Sequence, residues 1–321
     1  CLKGWKRRNP LDKNLNLMNE QSLKLPWFLI ISLGLFLMNA CTSDTKQTTE
    51  KQTQVQVTVP TFNKDSAYTF VQTQVNFGPR ALGMEGHQKT RNWNIEKLES
   101  YSWDVTPQDF DVKVYTNESF IGTNIIASLN KRANKKIVLA AHWDTRHIAE
   151  KDPDQEKRNQ PILGADDAGS GVAVLLEIAR IISENPVDYG IDLLFFDAED
   201  YGENGGRDDS WCLGSQYWSI HLPKSYKAQY GILLDMVGSK GATFRKEGTS
   251  LHYARNIVDK VWGLAQSMGY GHYFLNETAP AITDDHLFVN RIAKIPMIDI
   301  ININSRGQFG PYHHTHNDNM S

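Results

Sequence analysis

The stretch KIVLAAHWDT, residues 136–145, begins as a short apolar run and ends in a histidine and an acidic residue. It is followed by GSGVAVLLEIARII, residues 169–182, in which apolar residues recur at helical spacing, and then by a second such run, IDLLFFDAED, residues 191–200. Short apolar runs that alternate with helical segments are typical of buried parallel strands joined by crossover helices. This stretch therefore predicts an α/β fold.

Two further runs extend the pattern, YGILLDMVG at residues 230–238 and IPMIDIININ at residues 295–304, and a helical segment lies between them at residues 250–268. Nearer the N-terminus, FDVKVYT (110–116) and NIIASLN (124–130) alternate apolar and polar residues like two paired strands. We therefore predict a three-layer fold, in which helices flank a central twisted sheet that is mixed but mostly parallel.

The charge of the chain is close to balanced. Of its 321 residues, 34 are lysine or arginine and 37 are aspartate or glutamate, which gives a formal net charge of -3. Part of the basic charge lies in the first forty residues, and no basic block occurs in the rest of the sequence. This balance argues against a nucleic-acid partner.

The N-terminal region has the pattern of a targeting segment. LPWFLIISLGLFLMNAC, residues 25–41, is an apolar run whose length fits a signal-peptide core of roughly 7–15 residues better than a membrane span of about 20. Its end resembles a bacterial lipobox, in which Cys41 carries the lipid, and an uncleaved anchor is the alternative. The lipobox interpretation implies a lipid-anchored protein of the bacterial cell envelope, periplasmic or associated with the outer membrane. The expected organisation is a spurious upstream extension at 1–17, a lipoprotein signal peptide at 18–40, a flexible tether at 41–62 and a single catalytic α/β domain at 63–321.

Cysteine usage limits how the fold can be stabilised. The three cysteines are Cys1, in the doubtful extension, Cys41, at the lipidation site, and Cys212. No intrachain disulfide is therefore expected in the mature protein. Cys212 has no histidine close to it in sequence, and we interpret it as a small core residue.

Polar side chains stand where three of the apolar runs end. The first run leads into His142 and Asp144, the second into Glu199 and Asp200, and the third ends at Asp235. Ligands of parallel sheets bind beyond the carboxyl ends of the strands. These five residues are therefore expected at one edge of the sheet.

Two more segments add candidate metal ligands. GADDAGSG, residues 164–171, opens the first helix with two adjacent acids, Asp166 and Asp167. Either one could cap the helix, but one cap needs one acid, and several carboxylates at one edge indicate a cation. YHHTHNDN, residues 312–319, follows the last strand and can supply an imidazole. Carboxylates with imidazole and no thiolate suit zinc or another borderline divalent metal.

Taken together and in order, eight motifs resemble the zinc-dependent M28-type metallopeptidases, and within them the bacterial glutaminyl cyclases. The resemblance covers roughly residues 67–319 and implies a zinc-aminopeptidase-like fold. The motifs are FGPRALG, AAHWDTR, GADDAGSGVAVLLEIAR, FFDAEDYG, WCLGSQYW, LLDMVGS, DDHLFV and HHTHND.

The resemblance implies a metal site with one zinc ion per chain. Its ligands would be Asp167, Asp200, where many relatives have glutamate, and His314. Peptidase members bind a second metal through positions that match His142 and Asp235, and both residues are present here. His142 and Asp144 are therefore expected either as second-metal ligands or as residues that support the first site.

The resemblance also implies the catalytic and substrate-binding residues. Glu199 matches the catalytic acid/base, and Asp235 and Asp284 match carboxylates that hydrogen-bond near the substrate. Trp211 resembles an aromatic wall residue, and His313 stands where some cyclases have tryptophan. Two further aromatic residues, Trp143 and Tyr201, are candidates for the apolar lining of the pocket, with ordinary core packing as the alternative.

Two reactions fit these residues. The closer resemblance favours cyclisation of an N-terminal glutamine to pyroglutamate with release of ammonia, so that the partners are peptides or proteins with N-terminal glutamine. The alternative is an aminopeptidase, in which Glu199 would deprotonate a metal-bound water. A third class, a catalytically inactive relative that serves as a receptor or structural domain, would be expected to lose ligands, and this sequence keeps all of them.

Overall fold

The computed structural model describes residues 59–321; the predicted extension, the signal peptide and residues 41–58 of the tether lie outside this range. The helices in this range are α1 (Lys64–Asn76), α2 (Glu85–Ser100), α3 (Gly169–Glu184), α4 (Leu213–Ile220), α5 (Gly248–Ser267) and α6 (Asp285–Phe288). The strands are β1 (Asp104–Lys113), β2 (Ser119–Leu129), β3 (Lys136–His142), β4 (Gly190–Phe196), β5 (Tyr230–Asp235), β6 (Phe244–Lys246), β7 (Phe274–Thr278) and β8 (Met297–Ile301). Each of the four apolar runs singled out in the sequence forms a strand.

Six of the strands form one sheet in the order β1-β2-β4-β3-β5-β8. The strands β4, β3, β5 and β8 are parallel to one another, whereas β1 pairs with β2, and β2 with β4, in antiparallel fashion. The prediction of a mixed, mostly parallel sheet is therefore confirmed, as is the pairing of the two alternating segments as β1 and β2. The strands β6 and β7 form a separate two-stranded parallel sheet.

Helices cover both faces of the six-stranded sheet. All seven residues of β4 are buried, and successive side chains point to opposite faces. Leu193 and Phe195 pack in a core cluster that includes residues of α1, α2 and α3. Leu194 and Phe196 pack in a second cluster against Trp218 of α4. This three-layer arrangement explains why β4 reads as an unbroken apolar run rather than an alternating one.

Close packing at the start of α3 requires a glycine. A Cβ atom on Gly171 would lie 2.3 Å from the backbone oxygen of Leu234 in β5. The helix can therefore approach the sheet only with glycine at this position. This contact brings the loop that precedes α3 up to the edge of the sheet.

Between residues 59 and 321, none of the helices has both the length and the apolar composition that crossing a membrane requires.

Candidate active site

The candidate site lies at the edge of the sheet where the parallel strands β3, β4 and β5 end. His142 is the last residue of β3, Asp235 is the last residue of β5, and Glu199 lies in the turn after β4. His142 Nε2 lies 3.0 Å from Asp167 Oδ1 and 3.3 Å from Asp235 Oδ1. The structure thus brings the polar ends of three strands together with the loop before α3.

Three residues that are distant in sequence form a cluster suited to a metal ion. His314 Nε2 lies 3.1 Å from Asp200 Oδ1 and 3.8 Å from Asp167 Oδ2. Ligands around one tetrahedral zinc ion lie about 3.3 Å apart, since each sits roughly 2.0–2.1 Å from the metal. All three side chains are buried, and neither carboxylate oxygen of Asp200 has a hydrogen-bond partner among residues 59–321. Such unpartnered buried oxygens are what a bound cation would satisfy.

The ionisation of this cluster agrees with a missing positive charge. Burial raises the pKa of Asp200 above its ordinary value. Burial works against protonation of His314, but the charge of Asp200 and the hydrogen bonds to Asp200 and Glu150 together outweigh it and raise the pKa of His314 to about 9. For Asp167, burial opposes ionisation, but the hydrogen bond from His142 and the charges of the neighbouring histidines together outweigh it and lower the pKa. The buried carboxylates of this cluster thus favour a bound positive charge, which a cation would also supply.

A carboxylate fixes the orientation of His314. Its Nδ1 lies 2.8 Å from Glu150 Oε1, so that Nδ1 carries a proton, and a metal that displaces the proton on Nε2 would meet the lone pair of the nitrogen that faces Asp200. A metal-ligating histidine usually donates its other ring N–H in this way, which sets its tautomer and raises its basicity. Glu150 in turn accepts from Arg146 Nε at 3.1 Å.

The other two histidines of the HHTH stretch have different partners. Lys151 Nζ lies 2.7 Å from His313 Nδ1, and because an ammonium group only donates, this nitrogen accepts. His316 Nδ1 lies 2.9 Å from Asp152 Oδ2, which also accepts from the His316 backbone N–H. Three consecutive charged residues thus bind the three histidines one by one, and of the three only His314 brings a ring nitrogen within 3.1 Å of a carboxylate of the acidic cluster.

The loop that carries Asp167 is held by an acid from the C-terminal segment. Asp318 accepts hydrogen bonds from the backbone N–H groups of Asp166 and Asp167, at 2.8 Å and 3.1 Å. Neither of these two acids caps α3, because the N-cap residue is Ala168 and no side chain caps it. Asp166 instead accepts from the Tyr312 hydroxyl and the Gly238 backbone.

Asp144 supports the site through the backbone. Its two oxygens accept from the N–H groups of Glu199 and Asp200, each at 3.1 Å. Of the two roles expected for Asp144, the structure therefore fits the supporting one and not the second-metal one. His142 stays geometrically available to a second ion, because it forms a compact buried group with Asp167 and Asp235.

Two buried arginines, Arg80 and Arg146, hold the loops of the site in place through hydrogen bonds, and the sequence analysis predicted neither role. Arg80 donates to the carbonyl oxygens of Trp143, Leu163 and Gly164. Arg146 donates to the carbonyl oxygen of Asp200 at 2.8 Å and lies over the Trp211 ring at 4.5 Å. Each arginine therefore joins loops that are far apart in the chain.

Glu199 lines the same pocket. It is half-buried, and burial raises its pKa well above the ordinary value. Cys212 Sγ lies 3.1 Å from Glu199 Oε1, and the Cys212 backbone N–H donates to the Glu199 carbonyl oxygen at 2.9 Å. The interpretation of Cys212 as a small buried residue is correct, but its contact with Glu199 was not visible in the sequence.

Two further carboxyl groups lie beside Glu199. Burial raises the pKa of Asp235 to about 8, and it also raises that of Asp284. Asp284 is the N-cap residue of α6. Its Oδ1 accepts a hydrogen bond from the Asp285 backbone N–H, while its Oδ2 has no hydrogen-bond partner in the described residues. The free oxygens of these two acids can accept hydrogen bonds from a ligand with N–H groups.

These groups line one pocket with a volume of ≈ 190 Å³. Trp211 and Phe309 contribute aromatic walls, and the Trp211 ring lies 6.1 Å from that of His314 with nearly parallel planes. The other lining residues are Glu150, Lys151, Asp167, Glu199, Asp200, Asn204, Asp208, Asp235, Met236, Ile282, Thr283, Asp284, Ile301, His313 and His314.

The expectation that Trp143 and Tyr201 line this pocket is wrong. Trp143 is fully buried in the core, where its Nε1 donates to the Thr123 carbonyl oxygen and its ring stacks on His87. Tyr201 is buried in a separate apolar cluster, where its ring packs against Phe120. Trp143 directly follows His142 and Tyr201 directly follows Asp200 in the sequence, but the two aromatic side chains point away from the pocket.

The comparisons with known proteins agree with this geometry. Residues 124–321 match the model of peptidase family M28. The glutaminyl cyclase of Bacteroides thetaiotaomicron, solved with N-acetylhistamine, is 46% identical and superposes with a TM-score of 0.79, covering 82% of this chain and 92% of that one. A leucine aminopeptidase precursor from the same species gives the same identity, coverage and TM-score.

A curated relative points in the same direction. The glutaminyl-peptide cyclotransferase of Drosophila melanogaster is 28% identical over 272 residues, which cover 76% of this chain and 71% of the relative. The family match spans more than half of the chain, and it includes all the pocket-lining residues. The chain therefore belongs to peptidase family M28.

Proposed function

We propose that this protein is an enzyme that cyclises the N-terminal glutamine of peptides or proteins to pyroglutamate and releases ammonia. The observation that carries the proposal is that Glu199 lines the same pocket as Asp167, Asp200 and His314, whose side chains contact one another, and that this pocket has aromatic walls. Similar chains named as glutaminyl cyclases support it.

The metal cofactor is zinc, with one ion per chain held by Asp167, Asp200 and His314. The donor set of two carboxylates and one imidazole suits this metal, and three protein ligands are typical of catalytic zinc. When bound, zinc supplies a Lewis acid that polarises the γ-carbonyl oxygen of the substrate.

Glu199 moves the proton. The α-amine of the substrate must lose a proton as it attacks the γ-carbonyl carbon, and the leaving nitrogen must gain one to depart as ammonia. One carboxylate can do both in sequence if its pKa is near the working pH. Burial raises the pKa of Glu199 in that direction. No enzyme nucleophile is needed, because both reacting groups belong to the substrate.

Asp284 and Asp235 position the substrate amine. Asp284 Oδ2 and Asp235 Oδ1 are buried and without a hydrogen-bond partner among the described residues. They therefore accept hydrogen bonds from the amine and hold it for attack, which lowers the entropic part of the barrier. Trp211, Phe309 and His313 enclose the glutamine side chain and keep water away from the reacting carbon.

An aminopeptidase is the second candidate, and one observation favours it. His142, Asp167 and Asp235 form a buried group that could hold a second ion, which an aminopeptidase would use to bind the free amine. A solved structure that shares the same sequence identity with this chain, 46%, is named a leucine aminopeptidase precursor. The same pocket residues would then serve hydrolysis, with Glu199 deprotonating a water.

The product distinguishes the two reactions. The purified protein is incubated with a glutamine-initiated peptide, and with the same peptide beginning with leucine, and both are followed by mass spectrometry. Cyclisation removes ~17 Da as ammonia from the glutamine peptide and leaves the leucine peptide intact, since no bond to water forms. Release of free amino acids from either peptide refutes the proposal. Metal analysis should find one zinc ion per chain.

We also propose that the protein is lipid-anchored through Cys41 in a bacterial cell envelope, periplasmic or at the outer membrane. This proposal rests on the apolar run at residues 25–41 and its lipobox-like end. It further includes a flexible tether at residues 41–62, ahead of the catalytic domain at residues 63–321. Metabolic labelling with a fatty acid, compared between the wild type and Cys41→Ser, tests it.

A further inference from the structure

Two adjacent imidazoles face the same carboxylate in the candidate metal site. His313 Nε2 and His314 Nε2 each lie 3.8 Å from Asp167 Oδ2. Their rings stack with centroids 3.7 Å apart, and both side chains are buried. By distance from Asp167 alone, either histidine could present a nitrogen to an ion bound there.

The partners at Nδ1 separate the two histidines. Glu150 accepts a hydrogen bond from His314 Nδ1, which keeps a proton on that nitrogen and makes Nε2 the one that can bind a metal. Lys151 donates to His313 Nδ1, which places the ring proton of neutral His313 on Nε2. A nitrogen that carries a proton cannot be a metal ligand. The charges of two consecutive residues therefore give two neighbouring rings opposite tautomers.

We propose that Lys151 is a positioning residue that keeps His313 out of the coordination sphere of the metal. Resting on the proposed single-zinc site, this inference explains how two stacked histidines leave the metal with three protein ligands. A fourth protein ligand would convert an open catalytic site into a closed structural one. Lys151 thereby preserves the position that the substrate carbonyl needs.

A substitution can remove the positive charge of Lys151 and keep the backbone contact and the apolar packing of this residue. The residue is exposed, and its backbone N–H donates to the His314 carbonyl oxygen at 3.2 Å, a bond that no side-chain substitution removes. Its ammonium lies 5.8 Å from the centre of the Phe309 ring, on which the His313 ring stacks. Methionine at position 151 keeps an unbranched apolar stem there and lacks only the donor. His313 can then place its proton on Nδ1 and turn the Nε2 lone pair towards the metal.

The experiment measures zinc release from the intact protein into an excess of a chromogenic chelator. Lys151→Met should release zinc at least about tenfold more slowly than the wild type, since residues that orient ligands alter metal affinity by roughly 10–100-fold. His313→Phe should release zinc at the wild-type rate, and the Lys151→Met/His313→Phe double variant should match His313→Phe. Lys151→Arg, which keeps a donor, should restore the wild-type rate. Lys157→Met removes another exposed lysine of the same loop and serves as the matched control.

Each result has one meaning. Unchanged or faster release from Lys151→Met overturns the inference, as does an equal slowing in the His313→Phe background, because the effect would then not pass through His313. If the wild type holds one zinc ion and Lys151→Met behaves like Lys157→Met, this inference alone fails. If the wild type retains no zinc, the single-zinc proposal fails with it.

Discussion

Replacement of Glu199 by glutamine removes the proposed proton carrier and leaves the pocket otherwise intact. Glutamine has nearly the same size, and its oxygen can still accept from the Cys212 thiol, which lies 3.1 Å from Glu199 Oε1. The proposed zinc ligands are Asp167, Asp200 and His314, and the contacts of His314 with the two acids do not depend on Glu199. The substitution should therefore change proton transfer and not metal binding.

The size of the effect follows from the step that is lost. General acid–base catalysis by one positioned group contributes about 10²–10⁴-fold, or about 3–5 kcal/mol of transition-state stabilisation. We expect kcat for a glutamine peptide to fall by this factor. Stability should change in the other direction, because burial and then the neighbouring charge of Asp200 oppose ionisation of Glu199, and a neutral amide removes that conflict.

The assay couples ammonia release to a chromogenic readout and is run beside zinc analysis and thermal unfolding. Glu203→Gln, an exposed acid in the neighbouring loop, is the control and should stay within about twofold of the wild type. A Glu199→Gln protein that holds its zinc, unfolds at or above the wild-type temperature and still works within tenfold of the wild-type rate would refute the role assigned to Glu199.

Three other substitutions test the supporting contacts. Glu150→Gln weakens the 2.8 Å bond to His314 Nδ1 and should lower zinc affinity about 10–100-fold in chelator competition; unchanged affinity would contradict the orientation that we assign to His314. Asp144→Asn replaces one of two acceptors of buried backbone N–H groups by a donor, so the free energy of unfolding should fall by about 2 kcal/mol in denaturant titration; no loss would show that these bonds are not needed. Burial favours the neutral form of Glu247, but the hydrogen bond and charge of His286 and the backbone N–H groups of Ser250 and Thr249 together outweigh it and lower the pKa from 4.5 to about 2. Glu247→Gln should therefore destabilise by about 3 kcal/mol above pH ~5 and progressively less as the pH falls towards 2, where wild-type Glu247 also takes up a proton; an equal loss at acidic and neutral pH would argue against this pairing.

Local patterns were enough to predict the sheet and the edge that carries the site. The four apolar runs became β3, β4, β5 and β8, because strand formation and burial depend on short-range patterning that the sequence displays directly. Parallel strands end at a common edge, so polar residues after each run had to approach one another.

Side-chain direction at that edge was harder to predict. Trp143 directly follows His142, the last residue of β3, but it points into the core, whereas Trp211 reaches the pocket from a distant loop. The family resemblance indicated Trp211 as a lining residue, whereas Trp143 was a candidate because the pocket must exclude water, with core packing as its alternative. The stacking of His87 on Trp143 in the tertiary structure shows why Trp143 does not line the pocket.

The sequence by itself determined the strands of the six-stranded sheet, their mostly parallel arrangement and the supply of acids and histidines to one edge, because these features depend on residues that are neighbours in the chain. The tertiary structure decided which histidine faces the acids and which does not. Glu150 and His314 are separated by 164 positions, and Lys151 and His313 by 162. The tautomer of each ring is set by a hydrogen bond to a charge brought there by folding, and no local pattern in the sequence specifies that bond.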